Sequence, residues 1–223
     1  MLKVVVVAAT GGIGRQLLKQ ALDAGHDVTA VVRDPTRLGE VPVRVVRCDL
    51  ARAAPGELDE AVAGAGAVLS ALGARSGAEA GVASRGTHAI VQAMRSTGVR
   101  RVIAVSAASV GTVPSPGRPD PPRFNPGDGP VTRHLFAPVA KKLFRPHYLD
   151  LAIMEDVLRD SGLDWTVSRP PRLLDHALRP AYRTALDVNV RGGMFISRAD
   201  VARHMLSLID DAGSVHHTIS VAY

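Results

Sequence analysis

The valine-rich stretch from Leu2 to Ala8 runs straight into Thr10-Gly11-Gly12-Ile13-Gly14, and a helical pattern begins at once. An apolar run without polar alternation reads as a strand buried on both faces, the situation of a parallel sheet covered by helices. Beyond the glycines, Ile13, Leu17, Leu18, Ala21 and Leu22 share one helical stripe, which Gly25 ends. A buried strand joined to an amphipathic helix by a glycine turn leaves few architectures open.

The alternation then repeats. Residues 27–32, 42–48 and 67–72 read as strands, residues 79–97 as a long helix with Ile90, Val91 and Met94 inward, and residues 101–106 as a fifth strand. Strand–helix alternation of this kind specifies right-handed crossovers and a parallel sheet. The expected fold is α/β, a doubly wound, Rossmann-like parallel sheet, with residues 1–223 forming one domain. The pattern stops between Val110 and Pro130, where seven of the 15 prolines lie. Residues 131–145 resume a helical pattern through Leu135, Phe136, Val139, Leu143 and Phe144. Residues 110–147 are therefore expected to form an inserted proline-rich loop and helix, a lid over a substrate. A helix over 149–160, a strand over 164–168, a short strand near 184–190, a helix opened by Ser197 and a final strand over 218–222 complete the chain.

Composition narrows the function. A core of full size is available at 223 residues, and the single cysteine, Cys48, has no partner for a disulfide, which fits a reducing cytoplasm. No apolar run approaches the roughly 18 residues of a spanning helix, so no membrane role is expected. The formal charge of +6 raises nucleic-acid binding, but basic runs never exceed two residues and eight aromatics are too few for stacking platforms. Neither paired-cysteine nor H-E-x-x-H spacing points to a metal, and His216-His217 reads as a strand end.

Glycines after a first strand let the backbone approach a pyrophosphate at the positive end of a helix. Where the second strand ends, at Val32, Arg33-Asp34-Pro35-Thr36-Arg37 follows. An acidic residue there suits a free ribose, whereas arginine accommodates a 2′-phosphate. With Pro35 turning the chain, Arg33 and Arg37 are expected to clamp that phosphate, which predicts NADPH as cofactor.

These residues, together with Cys48-Asp49-Leu50, Leu69-Ser70-Ala71-Leu72-Gly73, Gly98-Val99-Arg100-Arg101-Val102, Ser161-Gly162-Leu163-Asp164-Trp165-Thr166, Arg169-Pro170-Pro171 and Ile196-Ser197-Arg198-Ala199-Asp200, resemble the atypical short-chain dehydrogenase/reductases, the group with biliverdin-IXβ reductase-like flavin reductases and NmrA-like NAD(P)-binding proteins. The resemblance implies that Thr10, Gly11, Gly12 and Ile13 meet the pyrophosphate, that Arg33, Thr36 and Arg37 meet the 2′-phosphate, and that Asp49 and Leu50 lie beside adenine. It also puts Leu72, Gly73 and Ser106 along the ribose and nicotinamide, with Pro170 and Pro171 bordering the nicotinamide pocket. Ala8 stands where the group usually has its first glycine; a positive φ there would cost about 1–2 kcal/mol, and ordinary strand geometry would cost nothing.

Many short-chain dehydrogenases lower the pKa of a tyrosine with a lysine four residues on, yet Ala152 follows Tyr148 at that spacing. Ser106, His147 and Tyr148 remain as candidate catalytic groups. Phe124, Phe136, Phe144 and Tyr148 gather near His134 and His147, which suits a planar aromatic substrate. The expected function is an NADPH-dependent reductase passing hydride to a flavin, quinone or other planar aromatic acceptor. Two alternatives stand beside it: a non-catalytic NADP-sensing regulator of the NmrA-like kind, and a redox-neutral tailoring enzyme that keeps the nucleotide site. A Ser106 hydrolase is disfavoured because Ala104-Val105-Ser106-Ala107-Ala108 lacks the G-x-S-x-G elbow.

Overall fold

A computed structural model describes residues 1–74, 79–129, 133 and 143–223. Strand β1 (Lys3–Val7) is central, and helix α1 (Gly12–Asp23) leads to β2 (Asp27–Val32), β3 (Arg44–Arg47), the single turn α2 (Asp59–Val62) and β4 (Ala67–Ser70). Helix α3 (Val82–Thr97), β5 (Arg101–Val105), α4 (Arg145–Arg159) and β6 (Asp164–Arg169) follow. The chain ends in β7 (Arg172–Leu174), β8 (Arg183–Leu186), β9 (Phe195–Ser197), α5 (Arg198–Ser207) and β10 (His217–Ala222).

The main sheet has the order β3-β2-β1-β4-β5-β6-β10-β8, parallel except for the antiparallel edge strand β8. This is the doubly wound α/β arrangement the alternation predicts. Valines 4–7 are nearly inaccessible because helices cover both faces. On one face Val5, Val7 and Val68 meet Ile90, Met94, Met154 and Leu158; on the other Val4, Val6 and Leu69 meet Leu17, Leu18, Val201 and Met205. Strand order reverses between β1 and β4, so their C-terminal ends splay around a crevice, the usual ligand position in such sheets.

Several boundaries depart from the sequence expectation. Strands β7 and β9 form a separate two-stranded parallel sheet that short apolar patterning does not announce. Helix α4 begins at Arg145 rather than near 149, with Pro146 in its first turn, where a missing N–H is harmless. His147 and Tyr148 consequently ride on a rigid helix. The proline-rich stretch is anchored to the domain as far as residue 129. Val110 and Val113 are buried, the Asn125 amide donates to Ala108 O (3.1 Å), the Gly117 N–H donates to Asp156 (2.9 Å), and the Asn189 N–H donates to Pro126 O (2.9 Å). The expected helix over 131–145, with His134, Phe136, Lys141 and Lys142, lies almost wholly outside the described residues.

Two buried carboxylates fasten the helices that frame the crevice. Asp150 of α4 accepts from the Ala83 and Ser84 N–H groups (3.0 Å each) and from the Ser84 hydroxyl (2.5 Å), capping α3, whose own N-cap Gly81 brings no side chain. At α5, Ser197 accepts from Asp200 N–H (2.9 Å), the capping arrangement its sequence suggests. Asp is too short to reach back to the Ser197 N–H, and the Tyr223 hydroxyl accepts it instead (3.1 Å) while donating to Asp200 (2.5 Å). No helix among the described residues is long and apolar enough to cross a membrane.

Candidate functional site

Strand β1 hands over to its glycine turn at Ala8. Its N–H donates to Val31 O (3.0 Å), its carbonyl accepts from Gly11 N–H (2.8 Å), and its φ is +58. Ala8 is therefore in the left-handed region and carries the strain that the ordinary-strand alternative would have avoided. Ala8→Gly is expected to raise stability by about 0.5–1 kcal/mol once the greater chain entropy of glycine is set against the relief. Thermal unfolding checks this; an unchanged or lower midpoint would mean that the turn adapts to the methyl group at no cost.

Gly11 has extended φ and ψ and brings no side-chain cap, so the first N–H groups of α1 are left to a ligand or water. A Cβ on Gly14 would lie 2.2 Å from the Ala8 carbonyl oxygen, and one on Gly12 would lie 2.6 Å from Cδ of Arg198. At Gly14 the missing methyl lets α1 pack directly on the end of β1, and at Gly12 it leaves room for the Arg198 side chain, so the turn is a cradle of bare backbone at the helix N-terminus. Arg198, the first residue of α5, lies over it, tied to Asp175 (2.7 Å).

From this cradle the crevice extends both ways, with Ala8, Leu72 and Gly73 common to its halves. One half is walled by Val31, Arg33, Arg37, Asp49, Leu50 and Glu79. Arg33 donates to Glu79 (2.8 Å), and that carboxylate holds the guanidinium more firmly charged. Asp34 also lines this half and accepts from the Thr36 N–H (3.1 Å) and hydroxyl (2.6 Å), which lowers its pKa. The Thr36 hydroxyl is thus committed to Asp34, and Thr36 is not among the lining residues, unlike Arg33 and Arg37. Cys48 lies deeper, its thiol pushed up to about 12 by burial and by Glu57, so it stays protonated.

The other half is bounded by Gly11, Gly12, Ile13, Leu72, Gly73, Ser106, His147, Leu151, Leu173 and Arg198. His147 approaches Gly73, its Nδ1 is buried without a hydrogen-bond partner among the described residues, and burial pushes its pKa down against the pull of Asp150. Tyr148 is not in this wall. It packs against the apolar layer under α3 and α4, and burial raises its pKa although Ser109 opposes the shift, the reverse of what a proton donor needs. Pro170 and Pro171 also lie outside the wall; Pro170 O accepts from Ala108 N–H (2.9 Å), and Leu173 two residues further on supplies the lining.

Residues to which the sequence assigned no role at the site complete it. Glu155, fully buried, accepts from the Ser106 hydroxyl (2.8 Å), from Arg169 Nε (2.9 Å) and from Arg159 (2.7 Å). Its signal lay in the α4 stripe Leu151, Met154, Glu155, Leu158, where a carboxylate occupies an apolar position. Arg198 and Glu79 had no such signal, since only the folded chain brings them across to the turn.

The structure of a short-chain dehydrogenase/reductase from Veillonella parvula DSM 2008 in complex with NADP is similar, with a TM-score of 0.74, 20% identity and coverage of 100% of this chain and 94% of that one. So is that of a "putative NADH-flavin reductase" from Streptococcus pneumoniae TIGR4, with a TM-score of 0.74, 23% identity and coverage of 100% and 99%. At these identities both likenesses show the fold alone. A UPF0659 protein of Schizosaccharomyces pombe is 28% identical over 226 residues, 97% of this chain and 88% of its own length. A family model described as NAD(P)H-binding matches residues 8–212, which takes in the glycine turn, both halves of the crevice and every strand except β1 and β10. With that match over most of the chain, on the fold and crevice just described, the protein is a member of the NAD(P)H-binding family.

Proposed function

We propose that the protein is an NADPH-dependent reductase of planar aromatic acceptors, flavins or quinones. The observation that carries this reading is the layout of the crevice: two arginines line its ribose end, the glycine turn and Arg198 follow, and Leu151 and Leu173 stand with Ser106 and His147 at the far end. Arg33 and Arg37 offer a 2′-phosphate charge-assisted hydrogen bonds, the α1 N-terminus and Arg198 offer the pyrophosphate a positive field, and Leu151 and Leu173 flank the far pocket. The nicotinamide supplies hydride when bound. The chain binds and orients it, and Tyr148, half-buried against the apolar layer and outside the pocket wall, is not placed to give a proton to a carbonyl substrate there. Flavins and quinones accept hydride directly and draw protons from water, so they suit such a pocket. The name of the Streptococcus pneumoniae neighbour points to the same acceptor class, with NADH in place of NADPH.

Glu79 sharpens the expected result. A 2′-phosphate must draw Arg33 from Glu79 or share it, so the carboxylate opposes NADPH more than NADH. Arg33→Ala is expected to weaken NADPH binding about tenfold with little change for NADH, since a hydrogen bond to a charged group contributes about 1.5–3 kcal/mol, at the low end when exposed. Glu79→Gln is expected to tighten NADPH selectively. Equal losses for the two nucleotides in Arg33→Ala would remove the 2′-phosphate role. Wild-type protein that binds NADPH but oxidises it no faster with any of a panel of flavins and quinones would favour the sensing role.

A further inference from the structure

The Ser106 side chain lies at the end of β5, with its backbone N–H already donated to Ser168 O (2.8 Å) on the neighbouring strand. Its hydroxyl is 2.8 Å from Oε1 of Glu155, and the same oxygen accepts from Arg169 Nε (2.9 Å). Oε2 accepts from Arg169 Nη2 and from Arg159 Nη2 (2.7 Å). Arg159 in turn reaches Asp156 (2.7 Å), so the Glu155 carboxylate is clamped between two guanidinium groups beneath the crevice wall. Burial works against its charge, but Arg169 and Arg159 prevail and hold its pKa below the usual carboxylate range. An ionised carboxylate only accepts hydrogen bonds. The hydroxyl proton of Ser106 must then point into the protein, toward Glu155, and its lone pairs face the crevice.

We infer that Glu155 is a positioning residue that fixes Ser106 as a hydrogen-bond acceptor, so that this wall recognises a ligand N–H group, the carboxamide NH₂ of the nicotinamide. The inference rests on the nucleotide reading of the crevice. It reverses the role a serine is usually given beside a carbonyl: Ser106 does not polarise the acceptor or protonate it, and a ligand with only a carbonyl facing Ser106 meets lone pairs with lone pairs.

The test compares binding of NADP⁺ with that of its 3-acetylpyridine analogue, in which a methyl ketone replaces the carboxamide. Titration calorimetry provides the measurement, and 2′-phospho-ADP-ribose, which lacks the pyridine ring, reports on the rest of the site. Wild-type protein is expected to prefer NADP⁺ about tenfold, the size of one well-made hydrogen bond to an otherwise unpaired group. Ser106→Ala removes the preference. Glu155→Asp keeps a charge for the arginines but is one methylene too short to hold Ser106, and Glu155→Gln keeps the reach but can donate; each is expected to relax the preference toward that of Ser106→Ala. The readout is the ratio of the affinities for NADP⁺ and the analogue, and a change common to both and to 2′-phospho-ADP-ribose reports a general loss at the site. A preference that survives in Ser106→Ala, or that disappears there but persists in both Glu155 variants, overturns the inference while leaving the nucleotide site intact. Wild-type protein that binds none of the three ligands overturns the nucleotide reading itself. Should Glu155→Gln fail to fold, Glu155→Asp and Ser106→Ala decide the matter.

Discussion

Gly14→Ala is expected to lower the stability of the protein by about 3 kcal/mol and to abolish nucleotide binding at accessible concentrations. The added Cβ would sit 2.2 Å from the Ala8 carbonyl oxygen and 2.9 Å from both the Ala8 carbonyl carbon and the Ala9 Cα. All three atoms belong to backbone that β1 holds between β2 and β4, so no side chain can swing aside. The first turn of α1 must then move off the strand, and the uncapped N–H groups at its start, which would meet the pyrophosphate, move with it. For a chain of this length the melting temperature should fall by about 6–12 °C. Gly12→Ala is the control: its Cβ meets only the Arg198 side chain, which can rearrange, so stability should fall much less. Similar melting temperatures for the two variants would show that α1 does not approach β1 closely at Gly14.

Acidification should destabilise the protein well above the range where carboxylates titrate, because of His204. This residue of α5 is buried against Ser168 Oγ (3.1 Å to Nδ1) and the edge of Tyr182, and burial lowers its pKa to about 4 although Asp211 opposes the shift. The folded state keeps the imidazole neutral, while the unfolded chain takes up a proton near pH 6.5. With the folded pKa below the unfolded one, the contribution is fully present above about pH 6.5 and declines as pH falls, until both states are protonated below about pH 4. The total is about 3 kcal/mol, from about 1.4 kcal/mol per pKa unit. The depressed pKa of Glu155 acts lower, its contribution fading only as pH falls below the ordinary glutamate value near 4.5. Urea titrations of wild type and His204→Asn between pH 7 and 4 separate the two. A slope between pH 6.5 and 4 that is the same in both proteins would assign the acid sensitivity to other groups, His147 among them.

The sheet was legible because its evidence is local: an unbroken valine run, a glycine turn and a helical stripe are each written within a dozen residues. Arg33 was legible for the same reason, since a strand's end locates it in a doubly wound fold; Asp49, Leu72 and Ser106 were pointed to by the family resemblance, and all four line the crevice. What failed to show were contacts made across the chain. Arg198 reaches Gly12 from the other end of the sequence, Glu79 reaches Arg33 from the far wall, and Tyr148 packs against the apolar layer outside the pocket because of where α4 begins. Thr36 illustrates a subtler limit: its position beside two arginines suggests a phosphate ligand, but the carboxylate of Asp34 is closer at hand and captures its hydroxyl. Glu155 was visible as a charge in an apolar stripe, yet its meaning depends on Arg169, which arrives from the next strand.

Asp150 links the mobility of one wall of the crevice to that of another helix. Because it caps α3 from α4, the first turns of the two helices share a single local-opening reaction: peeling His147 away from the pocket uncovers the amides of Ala83 and Ser84. Those two amides should exchange with solvent deuterium at one common rate, and that rate sets an upper limit on how often the pocket can widen through movement of α4.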